Sequence, residues 1–180
     1  MLAEYLSEGK RAPLNEVLID EEQLTSSVQT FNYGKELAGE FYLLIDANAD
    51  QDLDALLPAV DTAFSRFEEN GISQADLDRI KAGTEVAIYA QLDNALGKAI
   101  SLAEYNTLSG DPERINSDIR RLQSLTTDDV VRVYNTYLKD QPFVATSFVP
   151  DGLPELALEG SVRAAVVEEV VVQGAEVEVD

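Results

Sequence analysis

The 180-residue sequence contains no cysteine, no histidine and no tryptophan. Without cysteine there is no disulfide framework, no thiolate nucleophile and no thiolate metal site, and the redox compartment leaves no trace in the chain. The missing histidines exclude more. Zinc hydrolase centres, serine hydrolase triads and most general-base schemes are built around imidazole, so none of them can be assembled from these residues alone.

Positive charge is also scarce: 13 basic side chains stand against 34 acidic ones, for a formal net charge of −21. A surface of that sign repels phosphate backbones and anionic lipid headgroups, so neither nucleic acid nor a membrane is an expected partner. No run approaches the roughly 18 apolar residues needed to span a bilayer. Met1 leads into an amphipathic pattern rather than a charged region followed by an apolar one, and a soluble piece without an export signal is expected.

What is present is a globular pattern, 45% hydrophobic, read as one domain with a tail. Leu2, Tyr5 and Leu6 share a helical face, Gly9 interrupts it, and Pro13 opens a second short helix through Leu14, Val17 and Leu18. Ser26 to Tyr33 favours a strand, and Phe41, Leu43 and Ile45 alternate after a Gly34/Gly39 turn, which predicts a hairpin. Asn48 with Gln51 resembles a capping box before a helix carrying Leu53, Leu56, Leu57, Val60, Phe64 and Phe67, with Pro58 expected to kink it or shift its start. Ser73 and Asp76 cap a long helix running through Ile88, Leu92, Ala95 and Ala99 to Ser109-Gly110. Asp111-Pro112 reads as N-cap and first residue of a short helix bearing Ile115, Ile119 and Leu122. Thr126 and Asp129 open a last helix with Val130, Val133, Tyr134, Tyr137 and Leu138 inward. Phe143 to Val149 reads as a strand.

That order predicts an α+β fold: a mainly antiparallel sheet with helices packed on one face. Three strands are few for so much helix, so further strands upstream of Met1, and hence an N-terminally truncated domain, are expected. Residues 1–152 form the domain. Residues 153–180 carry Glu155, Glu159, Glu168, Glu169, Glu176, Glu178 and Asp180 against Arg163 alone, and read as an acidic interdomain linker, with a Val-rich edge strand as the alternative.

Candidate chemistry is thin. Asp20, Glu21 and Glu22, or Asp128 and Asp129, are carboxylates enough for a hard cation, but adjacent helical acids point apart. Asp46, Asn48, Asp50 and Asp52 alternate as in a calcium loop, yet Leu53 follows Asp52 and no glycine occupies the turn, and local capping accounts for them. Tyr5, Tyr134 and Tyr137 read as core aromatics, and Lys81 as a solvated or paired lysine. No catalytic or metal residue is assigned, and no substrate-binding residue either.

Certain residues occur in a familiar order. Leu2-Ala3-Glu4-Tyr5-Leu6-Ser7-Glu8-Gly9-Lys10-Arg11-Ala12-Pro13-Leu14, then Val17-Leu18 and Gln23-Leu24-Thr25-Ser26-Ser27-Val28, resemble the second, non-catalytic α+β domain of insulinase/pitrilysin-type zinc peptidases. Gly39-Glu40-Phe41, Asn70-Gly71-Ile72-Ser73, Asp78-Arg79-Ile80-Lys81 and Leu125-Thr126-Thr127-Asp128-Asp129-Val130 continue the resemblance, which covers residues 2 to about 152. Ala12 departs from it, since a serine is frequent there.

The resemblance implies a processing-peptidase-like (LuxS-like) metallohydrolase fold, with zinc held by H-x-x-E-H on another domain of the parent and no cofactor in this segment. It also implies an Arg and a Tyr that help hold substrate in some family domains. The matching positions here are Ile19 and Ser26, so this copy lacks that pair. Implied partners are other domains of the same polypeptide and the parent's peptide substrates; an exposed sheet edge adds self-association. A periplasmic or envelope parent is compatible with the resemblance. The competing readings are a scaffold, like the family's inactive members in respiratory complexes and processing peptidase, and an independent acidic binding module.

Overall fold

The computed structural model describes residues 1–34 and 37–165. Leu2–Ser7 forms α1, and Gly9, at φ +95, breaks it with a backbone that an L side chain rarely adopts. Pro13–Asn15 (α2) places proline in the first turn, where its missing N–H has no partner to lose, and runs directly into a π-helix at Glu16–Glu21. The hairpin follows as Thr25–Gly34 (β1) and Gly39–Ala47 (β2), antiparallel, with Thr30 opposite Leu43 and Phe31 opposite Tyr42.

Residue parity sorts the hairpin's two faces. Val28 is buried, and Phe41, Leu43 and Ile45 pack against the core. Phe31, Tyr33, Tyr42 and Leu44 lie on the other face, exposed, with the Phe31 and Tyr42 rings stacked at 5.0 Å.

After a 3₁₀ turn at Leu53–Ala55 the chain enters Leu56–Asn70 (α3). The expected cap at Asn48 is not the one used. Asp52 accepts from the Asp54 N–H at 3.0 Å, while Asn48 Nδ2 donates to the Gln23 carbonyl at 2.7 Å. The helix thus starts late enough that Pro58 sits in its first turn, so proline shifts the start instead of kinking the middle.

Gln74–Leu92 (α4) opens on Ser73, whose hydroxyl accepts from the Asp76 N–H. The single long helix expected here is in fact two. Asn94 caps a new helix, Ala95–Ser109 (α5), by accepting from the Gly97 N–H at 2.8 Å. A β-carbon at Gly97 would lie 1.9 Å from the Gln91 carbonyl oxygen, so the close approach at this corner requires glycine.

Arg114–Ser124 (α6) starts beyond Pro112, which lies in the preceding turn and not at the helix's first position; Asp111 accepts from the Glu113 N–H there. Thr127–Tyr137 (α7) carries the full capping box between Thr126 and Asp129. The core gathers Leu6, Leu14, Leu18, Phe67 and Leu77, each at most 2% exposed, from α1, α2, the π-helix, α3 and α4. Tyr134 of α7 closes it, its ring against Phe64 and Phe67 at 5.7 and 4.8 Å.

Two expectations fail toward the C-terminal end. Phe143 to Val149 is not a strand: it has no ladder, and Phe143, Val144 and Phe148 are 73, 93 and 90% exposed. Among the described residues the sheet therefore has two strands, not three. Tyr137, expected inward, is 68% exposed. The start of the tail turns at Pro154–Leu156 and ties back to the body, the Glu159 N–H donating to Asp54 at 2.6 Å. The Val-rich stretch from 166 to 180 lies outside the described residues.

Candidate functional site

Among the described residues two clefts stand out. The larger, about 520 Å³, lies between the start of α1, the tip of the hairpin and α7. Leu2, Phe41, Val130, Val133 and Tyr137 give it a mostly apolar lining, with Asp129 and Arg132 as its charged groups. Asp129 is not free to act on a ligand. It accepts from the Thr126 N–H and hydroxyl at 3.0 and 2.8 Å and pairs with Arg132 at 3.2 Å; the Thr126 bonds hold its carboxyl below the usual range.

The smaller cleft, about 290 Å³, is lined by Tyr5, the loop from Glu8 to Ala12, Asp76 and Arg79. Tyr5 spends its hydroxyl on the Gly71 carbonyl at 3.0 Å. Burial, with Asp76 and Glu16 nearby, raises its pKa, the wrong direction for a phenolate nucleophile.

Several of the other residues singled out in the sequence have structural partners, while Asp20 and Glu22 are exposed beside Glu21. Glu21 is bound by both Arg66 terminal nitrogens at 2.7 and 2.6 Å, which ties the π-helix to α3. Tyr134 donates to Glu68 at 2.8 Å, and Lys139 donates to the same carboxylate from the far end of α7. Burial first, then Glu68, pushes the Tyr134 hydroxyl up, while Lys139 and Tyr134 pull Glu68 down. Lys81 donates to the Gln123 and Leu125 carbonyls, closing the C-terminal end of α6 with a cation where helix carbonyls are unpaired.

Asn48 and Asp52 are taken up in the junction bonds described above, and Asp50 holds a left-handed turn at φ +59. Among the described residues no group of three His, Cys, Asp or Glu side chains is arranged to hold a metal ion. Nor do the residue types fit a zinc hydrolase centre, because the chain has no imidazole to offer. Ile19 packs half-buried on the core and Ser26 is exposed at the base of β1. The larger cleft went unseen in the sequence. Val130, Val133 and Tyr137 continue one helical stripe, and nothing in the pattern tells where the covering layer stops.

The described residues form an α+β fold in which Tyr5, Glu21, Arg66, Glu68, Lys81 and Tyr134 join its elements. The chain is similar to the inactive domain of M16-type zinc proteases, the insulinase type that the sequence resembles. Residues 1–84 match the family model described as Peptidase M16 inactive domain. Over 141 residues the chain is 28% identical to the zinc protease PqqE of Helicobacter pylori, covering 77% of this chain and 31% of that protein. It therefore spans about a third of that relative's length.

Among solved structures, a protease from Helicobacter pylori superposes with a TM-score of 0.65 at 26% identity over 77% of this chain and 33% of that one. The inactive peptidase domain of a zinc protease from Bordetella parapertussis gives 0.64 at 21% identity, over 72% of this chain and 70% of that one.

Proposed function

We propose that the chain is a structural and substrate-chamber domain of a zinc-dependent metalloendopeptidase, serving peptide hydrolysis carried out by other domains of the parent. The observation that carries this reading is the match of residues 1–84 to an inactive peptidase domain, joined to a chain with no histidine. Zinc would sit on a separate domain that supplies H-x-x-E-H; there it would activate water for attack on the peptide carbonyl. This domain's part is wall and interdomain packing, with residues 153–180 as an acidic interdomain linker.

The net charge of −21 gives that wall a sign. Facing a chamber, it would favour entry of basic unfolded peptides through long-range attraction. The test is to read the encoding locus on both sides, express the complete protein, and measure zinc content and hydrolysis of basic and neutral peptides. Zinc-dependent cleavage with basic peptides preferred, and no cleavage by residues 1–180 alone, is the expected result. A complete protein that lacks H-x-x-E-H and cleaves nothing would make this a scaffold domain; equal rates for basic and neutral peptides would remove the charge argument.

A further inference from the structure

The face of the hairpin turned away from the core has a composition of its own. Opposed residues of an antiparallel pair share a face, so Gln29, Phe31 and Tyr33 of β1 stand beside Leu44, Tyr42 and Glu40 of β2, with Asp46 ending the row. All seven are exposed. Two carboxylates flank three aromatic rings and a leucine, and neither strand contains a basic residue to neutralise them.

Phe31 and Tyr42 stack at 5.0 Å with their planes 17° apart, and still leave 40 and 38% of their surface open. The Tyr42 hydroxyl donates to Glu40 Oε2 at 2.6 Å, which holds the carboxylate at the edge of the ring. That bond raises the Tyr42 pKa, so the phenol stays protonated and neutral at neutral pH. A π face and a negative charge thus lie within reach of one incoming side chain. Guanidinium satisfies both, stacking flat on the ring while its fork of N–H donors meets the carboxylate; an ammonium is a more strongly hydrated point charge.

We propose that this face is a docking site for an extended basic peptide, with an arginine on the Phe31 and Tyr42 rings against Glu40 and a second basic side chain at Asp46. Glu40 and Asp46 lie six residues apart on one strand, about 20 Å, so a peptide laid along β2 meets them with basic residues at the same spacing. Tyr42 and Leu44 between them receive the apolar stems of those side chains. Charge decides the occupant. A second copy paired strand to strand about Leu43 would set Glu40 against Asp46 twice, and like charges directly opposite destabilise a sheet. The segment from 166 to 180 has five acidic residues and no basic one, so it is repelled as well.

The proposal rests on the peptidase-domain reading for the source of such peptides, but its test needs no peptidase activity. Long-range attraction to a negative protein does not distinguish arginine from lysine, whereas a ring stack does. Residues 1–180 are titrated by NMR with the blocked peptide Gly-Arg-Gly-Ser-Gly-Ser-Gly-Arg-Gly, with its lysine counterpart and with its uncharged citrulline counterpart. The expected result is saturable movement of the Phe31 and Tyr42 ring signals, with arginine bound about 2-fold more tightly than lysine and about 5-fold more tightly than citrulline. Tyr42→Leu should bring arginine down to the affinity of lysine, and Glu40→Gln should weaken both, with the amide spectrum of the core unchanged in each variant. Equal affinity for arginine and citrulline peptides, or shifts elsewhere with both rings unmoved, overturns the proposal. In the complete protein from the same locus, hydroxyl-radical footprinting should oxidise Phe31 and Tyr42 unless the arginine peptide is present. Protection without peptide would assign the face to another domain and also overturns it.

Discussion

The Ser7 hydroxyl sits between two groups of Thr30, accepting from its backbone N–H at 3.0 Å and lying 2.9 Å from its side-chain oxygen, which donates onward to the Ala3 carbonyl at 2.6 Å. One helix turn thus satisfies a strand edge that would otherwise offer itself to another chain. Ser7→Ala removes the acceptor and leaves the amide without a partner, at an expected cost of about 1–2 kcal/mol in urea denaturation. Thr30→Val keeps the amide bond to Ser7 and is expected to cost less.

Tyr134→Phe removes the donor to Glu68 while keeping the ring against Phe67. A loss of about 1 kcal/mol is expected by thermal or chemical denaturation.

Acid should weaken the fold through lowered carboxyls. Glu68, Glu21 and Asp129 are each held below their ordinary values by hydrogen bonds from Lys139, Arg66 and Thr126 respectively. Groups depressed in the folded state contribute stability that is present above their unfolded values, near pH 4, and lost as pH falls through the folded ones. Urea midpoints measured between pH 6 and pH 2 should therefore decline chiefly below about pH 4. In Lys139→Met the decline should be shallower.

Gly97→Ala tests the corner between α4 and α5. Alanine's usual helix advantage of about 1 kcal/mol is outweighed by the clash with the Gln91 carbonyl, and a net loss of about 2 kcal/mol is expected. Exchange protection should fall first in α5, whose only buried residue is Ser101.

Asp46→Lys replaces the like-charge opposition of two β2 strands with an attraction between Glu40 of one copy and the introduced ammonium of the other. Sedimentation velocity should show the unaltered chain staying apart at concentrations where the variant pairs.

Local rules were readable where local chemistry decides. The hairpin followed from alternation at Phe41, Leu43 and Ile45, and α7 from Thr126 and Asp129. The α4–α5 break was hidden because Ile88, Leu92, Ala95 and Ala99 keep helical spacing across it; the signal lay instead in Asn94 followed three residues later by Gly97. Phe143 to Val149 has a strand's composition but no partner among the described residues, and a strand exists only through pairing. Tyr137 reads as core by spacing, yet the layer that would cover it is not encoded in its own helix. For the clefts, the sequence supplied the residue types and not their meeting.

The π-helix at Glu16–Glu21 gives the wide turn in which the Glu22 N–H reaches back five residues to Val17. Such a turn holds one residue more than an ordinary helix would need for the same advance. Removing a residue there would rotate α1 and α2 by about 100° relative to the hairpin and carry Leu14 out of register with Phe67. Insertions and deletions among homologues should accordingly fall at the hairpin tip and spare this segment, whose length, more than its composition, is what inheritance must preserve.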